Sequence, residues 1–190
     1  VALLTSSLSR RCFAIAAMCV AVFAAITAAE QRTPTAEDDI KATFLFNFTQ
    51  FVEWPGAALG GTEPFRICVV ADPAFAAAVD RTVSGESVGG HAIARTSPAS
   101  PDAARGCQIL FVGRQEGERL DRWMAAVKGT PVLIVGESRA AFEHGAHINF
   151  VVENNRVKFD VNKDGATRAG LTISSKLLRV ARNVTAQGSP

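Results

Sequence analysis

The chain has 190 residues, 48% hydrophobic and 20% charged, with 20 Lys and Arg against 18 Asp and Glu. Residues 1–29 hold two of those basic residues, Arg10 and Arg11, and no acid, so residues 30–190 are neutral with 18 of each sign. A neutral chain of that length suits one domain with a real core and lacks the basic excess of a nucleic-acid binder, so no nucleic acid is expected as a partner.

Arg10 and Arg11 precede an uncharged apolar run from Cys12 to Ala29 that closes on the small residues Thr27, Ala28 and Ala29. This pattern predicts a signal peptide over 1–29, cleaved on export, with no membrane insertion afterwards. The alternative is an uncleaved anchor, since the run is near the lower length limit for a spanning helix; its alanine content and small-residue end favour cleavage. Ser-Arg-Arg-Cys-Phe at 9–13 is similar to a twin-arginine signal, but Ala14-Ile15 follows where Leu-Lys would be expected, which favours ordinary secretion. Met18 before Cys19 is too large for a lipidation site.

A polar joint is expected over 30–37, then a helix to about Val52 that stops before Trp54-Pro55, because proline disfavours helical geometry in the preceding residue. At about 100° per residue, Ile40, Phe44, Phe48, Phe51 and Val52 form its core stripe. Phe46 falls opposite, with Thr49, Gln50 and Glu53, and is either covered by another element or an interface anchor. FRICVVA reads as a strand and PAFAAAVDRTV as a helix; HAIARTS, CQILFVG and PVLIVGE follow as strands, with helices over 114–127 and 138–143. Buried runs such as ILFV and VLIV, separated by helices, predict parallel strands covered on both faces.

HINFVVE and RVKFDVN flank Asn154-Asn155, residues that tolerate the left-handed backbone of a tight turn, and read as an antiparallel hairpin. In the second strand Val157, Phe159 and Val161 face one way, and Arg156, Lys158 and Asp160 the other, towards water or a partner. GLTIS interrupts a helix begun at Lys163, and Ser174 caps a final helix bearing Leu177, Leu178, Ala181 and Val184 on one face. Residues 185–190 read as a disordered tail. The fold class is α/β: a single domain with a mixed, mostly parallel sheet, helices on both faces and a C-terminal antiparallel hairpin plus helix.

Chemistry in such a chain is sought at the carboxyl ends of its parallel strands, here Asp72-Pro73, Gly113-Arg114 and Gly136-Glu137-Ser138. Capping of strand-to-helix turns accounts for these residue types more simply than catalysis. There is no glycine-rich phosphate loop and no nucleophile elbow, and Ser174-Ser175-Lys176 reads as a cap and a solvated lysine. His144 and His147 flank a turn and read as surface or half-buried hydrogen-bonding groups. No enzyme activity and no cofactor are expected. After signal removal Cys68 and Cys107 remain, in strands expected to be neighbours; they can pair in an oxidising compartment or stay as buried free thiols. With scattered His91, His144 and His147 they do not meet metal-ligand spacing.

RVKFDVN followed by AGLTISSKLLRVA resembles the signature of the YfiR family, and FLFNFTQFVEWP, FRICVV and CQILFVG agree in the same order, over roughly residues 38 to 184. The resemblance implies a periplasmic repressor of a membrane diguanylate cyclase, the enzyme that makes cyclic di-GMP. It also implies a Cys68–Cys107 disulfide and admits a homodimer. The expected contact surface for the cyclase's periplasmic domain is Asp160, Ile148 and Val184, with Phe46 as a candidate anchor; at the position of Asp160 the family usually has Glu. A second reading is a periplasmic small-molecule-binding domain that acts on a histidine kinase or another receptor.

Overall fold

The computed structural model describes residues 33–185 except Glu118; the expected signal segment and the last five residues lie outside them. The helices are α1 (Ala36–Phe51), α2 (Pro73–Val83), α3 (Leu120–Val127), α4 (Arg139–Glu143), α5 (Lys163–Arg168) and α6 (Ser175–Val180). The strands are β1 (Val52–Glu53), β2 (Phe65–Val70), β3 (Ser87–Val88), β4 (His91–Thr96), β5 (Ile109–Val112), β6 (Leu133–Gly136), β7 (Ile148–Glu153), β8 (Arg156–Asn162), β9 (Thr172–Ile173) and β10 (Asn183–Thr185). Eight of them form one sheet in the order β10-β8-β7-β6-β5-β2-β4-β3, and β1 pairs with β9 beside it.

From β4 through β7 the pairing is parallel, and the order reverses direction between β2 and β5. β8 returns antiparallel to β7 through Asn154 and Asn155, both at positive φ (51° and 57°), the turn the two asparagines predict. The α/β class, the mostly parallel sheet and the C-terminal hairpin and helix are all present.

The sheet divides the core in two. On one face α1, α2 and α6 cover Phe65, Ile67, Phe111, Val135, Ile148, Phe159 and Val161; on the other, α3 and the turn Pro101–Gly106 cover Cys68, Leu110, Val112 and Ile134. Phe48 anchors the first half, with ring centroids 5.9 Å from Phe150 and 5.4 Å from Phe159, the latter edge-to-face.

Several boundaries differ from the sequence expectation. α1 starts inside the expected joint because Thr35 and Asp38 form a capping box: the Thr35 N–H donates to Asp38 Oδ2 (2.8 Å) and the Asp38 N–H to Thr35 Oγ1 (3.3 Å). Its buried apolar stripe is Ala42, Leu45 and Phe48, with Thr49 beside them and Val52 of β1 continuing it, and Ile40 is exposed, because α1 meets α2 as well as the sheet and is turned accordingly. The expected 114–127 helix breaks into a 3-10 turn, Arg114–Glu116, and α3, with Gly117 between them. The last helix stops at Val180. Arg182 donates its N–H to Phe159 O (2.8 Å), and the chain runs on as β10, parallel to β8.

Cys68 and Cys107 are bonded, with Cα atoms 5.9 Å apart. Cys107 ends the turn before β5 and so lies just outside the strand assigned to it from sequence; the bond ties that turn to β2. His147 is buried rather than superficial and joins three strands: its N–H donates to Ile134 O (2.9 Å), its Nδ1 accepts from the Ile134 N–H (3.1 Å), and its carbonyl accepts from Asn162 (2.8 Å). Burial, helped by the charge of Arg168, lowers its pKa from 6.5 to about 4.

Two outcomes follow. Replacing both Cys68 and Cys107 by Ser is expected to lower stability by about 2–4 kcal/mol in chemical denaturation, since the bond closes a long loop; an unchanged midpoint would show that the bond contributes nothing. Since the folded pKa of His147 lies below the unfolded one, its contribution is fully present above about pH 6.5 and is lost as pH falls towards about 4, by roughly 3 kcal/mol. Urea midpoints that do not drop between about pH 7 and about pH 4.5 would contradict this assignment.

Candidate functional site

The carboxyl ends of the parallel strands, where an open α/β sheet usually holds its ligand, are filled by the protein's own groups. Asp72 Oδ1 accepts from the N–H groups of Ala74 (3.0 Å) and Phe75 (3.1 Å), and Ser138 Oγ accepts from Ala141 (3.0 Å), so both act as helix caps. Glu137 accepts from Lys41 Nζ (2.6 Å) through one oxygen and from the Arg114 N–H (2.9 Å) through the other. Lys41 also meets Glu37 at 2.5 Å. Burial acts to lower the Lys41 pKa, but hydrogen bonds and charge from Glu137 and Glu37 outweigh it, and the pKa is raised. A lysine held charged between two carboxylates is neither a nucleophile nor a base. At the point where the strand order reverses, a Cβ on Gly113 would lie 3.1 Å from the Ala71 Cβ, so the residues following β5 and β2 pack closely together there. Among the described residues no group of three or more His, Cys, Asp or Glu could hold a metal, and no helix is long and apolar enough to cross a membrane.

The C-terminal edge is organised differently. Asp160, expected to face outwards, is only 7% exposed, because β10 pairs beside it and the side chains of Arg182 and Asn183 close on its carboxylate. Arg182 donates to both of its oxygens, Nε to Oδ1 at 2.8 Å and Nη2 to Oδ2 at 2.5 Å, and Asn183 Nδ2 adds a bond of 3.2 Å to Oδ1. This two-pronged geometry is the strongest form of such a pair. The hydrogen bond to Asp160 raises the Arg182 pKa. At the rim Lys158 meets Glu153 at 2.5 Å and, mainly through that bond, lowers the Glu153 pKa; Arg182 reaches the same carboxylate at 3.7 Å.

Ile148 pairs with Val161, and Val161 with Val184, so the three side chains stand in one row on the face under α1. Ile148 has no exposed surface and belongs to the core, because two further strands and the helices above close over it; a place on an outer contact surface does not fit it. Val184 ends the row at the open edge and is 44% exposed, and Val180 nearby on α6 is 67% exposed. Phe46 is half-buried against the same half of the core. Of the four residues singled out from sequence, only Val184 presents a large accessible side chain, while Asp160 acts from beneath. Sequence reasoning missed Arg182 and Val180, since it continued the last helix through them, and no local signal marks Arg182 as the partner of a residue 22 positions earlier.

A family model described as YfiR/HmsC-like matches residues 38–182, a span that includes the disulfide, the hairpin and both members of the Asp160–Arg182 pair. Among solved structures, the chain is similar to a conserved domain protein from Vibrio cholerae O1 biovar eltor str. N16961. That match has a TM-score of 0.55 and 11% identity, and covers 80% of this chain and 61% of that one. The ABC domain in complex with L-Trp from Streptococcus pneumonia is a looser match, with a TM-score of 0.45 and 12% identity over 64% of this chain and 55% of the other. The chain thus spans less than two thirds of either, and the first likeness speaks to the fold alone. The family match supports a periplasmic regulatory role of the kind played by non-catalytic regulators. Since the matched span takes in nearly every described element, from the first turn of α1 to the residue before β10, the chain belongs to the YfiR/HmsC-like family.

Proposed function

We propose that residues 1–29 direct export to the periplasm and are cleaved on the way, and that the protein there binds the periplasmic domain of an inner-membrane diguanylate cyclase, holding it inactive and lowering cyclic di-GMP. Family membership supports this reading, and the observation that carries it is the exposed Val184 on the open edge strand β10. An edge strand offers unpaired backbone groups and, here, exposed branched side chains to a partner.

In this reading Val184 makes the contact, and Phe46 extends it along the same face of the sheet. Asp160 works indirectly: by holding Arg182 and Asn183 it fixes β10 at the edge, and Ile148 supports the same row from within the core. Repression then follows from differential binding, since a regulator shifts its target only by preferring the inactive conformation.

The test is cyclic di-GMP in a deletion strain complemented with variants, together with affinity for the cyclase's periplasmic domain. Val184→Asp, at an exposed position, is expected to fold, to weaken binding by roughly thirtyfold, about 2 kcal/mol, and to leave cyclic di-GMP as high as in the deletion. Asp160→Asn is expected to weaken binding by about tenfold, because the edge strand loses its charged anchor. A deletion that leaves cyclic di-GMP unchanged removes the proposal. A Val184→Asp protein that binds as well as the parent moves the contact away from this edge.

A further inference from the structure

On the sheet face opposite α1, the end of α3, the turn between α4 and β7, and α5 line a half-open cavity of about 510 Å³. His147 lines it and is 5% exposed. Its Nδ1 accepts from the Ile134 N–H, which places the proton of the neutral ring on Nε2. With its pKa pushed down to about 4 the ring stays neutral at ordinary pH, so this tautomer is the form the cavity presents.

Nε2 has no hydrogen-bond partner among the described residues. Asn149 Oδ1 is the one fully enclosed side-chain polar atom left unpaired there, so Nε2 retains access to the cavity. An unpaired N–H in a concave, half-apolar site favours a ligand that brings an acceptor. The charged groups around it specify the sign. Arg168 and Lys128 line the cavity, and the acid beside them, Asp121, is engaged by His144 Nδ1. The remaining wall is apolar, with Met124, Val127 and Ile134 as its largest members.

We propose that this cavity binds a small organic carboxylate with an apolar body, the carboxylate accepting from His147 Nε2–H and Arg168 and the body lying against Met124, Val127 and Ile134. No residue of the Asp160–Arg182 edge lines the cavity, so the site stands apart from the proposed cyclase contact and its failure would leave that reading untouched.

Benzoate serves as the probe, titrated into ¹⁵N-labelled protein while the Gly145 and Gly165 amides and the His147 imidazole nitrogens are followed. Saturable shifts at these positions are expected with a Kd of about 1 mM or tighter. Benzyl alcohol, which keeps the body without the charge, and inorganic phosphate, which keeps a charge without the body, are each expected to bind at least about tenfold more weakly. Arg168→Gln, on an exposed side chain, should weaken benzoate by at least about tenfold, and Ala125→Trp, which fills the cavity from the exposed side of α3, should abolish the shifts. Equal binding of benzyl alcohol or phosphate overturns the proposal. So do unchanged affinity in either variant, shifts scattered over other surfaces, and no saturation at benzoate concentrations well above the expected Kd.

Discussion

The contact on which the rest of the molecule depends is the meeting of Phe44 and Phe48 on α1 with Phe150 and Phe159 on the β7–β8 hairpin. The ring centroids lie between 5.4 and 6.0 Å apart, in stacked, tilted and edge-to-face pairs. Burying aromatic rings of this size contributes about 1.5–3 kcal/mol each, before the preference for offset and edge-to-face geometry is added. Its structural effect is larger than its energy. Because strand side chains alternate, turning Phe159 and Val161 towards α1 commits Asp160 and Asn162 to the opposite face, and turning Ile148 and Phe150 inward does the same to Asn149.

That commitment creates a row of polar groups under cover, and each needs a partner. Gly136, Asn149, Asp160 and Asn183 are register neighbours across four strands. Asp160 is satisfied by Arg182 and Asn183, which is why the chain returns after α6 and adds β10 to the sheet. Asn162 caps α5 through the Gly165 N–H (2.8 Å). Gly136 leaves room for Asn149, since a Cβ there would stand 3.2 Å from Asn149 Oδ1 and 2.5 Å from the Ala141 Cβ. The strand ends that could have held a ligand are sealed by Lys41 and Glu137, and the molecule turns its accessible chemistry to its edge and to the cavity under α3.

Much of this organisation is legible in the residues. Runs such as ILFV and VLIV, turn asparagines, and capping residues Asp72, Ser138 and Ser174 act locally, so they read correctly without knowledge of the fold. The strands of two or three residues, β1, β3, β9 and β10, do not, because so short a run has no period and exists only through its partner. The burial of Asp160 and Ile148 likewise depends on partners distant in the chain. Alternation correctly separates Asp160 from Phe159, yet whether the outer face is wet or covered is decided by β10, which arrives from farther along the chain. Ile148 shows the reverse: its apolar character is plain, and its burial depends on how many strands and helices close over it. On α1 the periodicity is right, but the centre of the stripe shifts from Ile40 towards Leu45 because two neighbours share the helix.

The pairing of α1 with the hairpin also bears on when the fold can form. The first described helix packs against β8 and α6, more than a hundred residues later, and the sheet between them is built largely from parallel strands that need crossovers. High contact order of this kind slows folding, and here it withholds the main core until nearly the whole chain is present. A nascent chain ending before β7 would lack the rings that shelter Phe44 and Phe48, and so would carry an exposed aromatic ridge of the sort that holding chaperones bind. The same ridge that fixes the finished molecule is thus its point of exposure while it is being made.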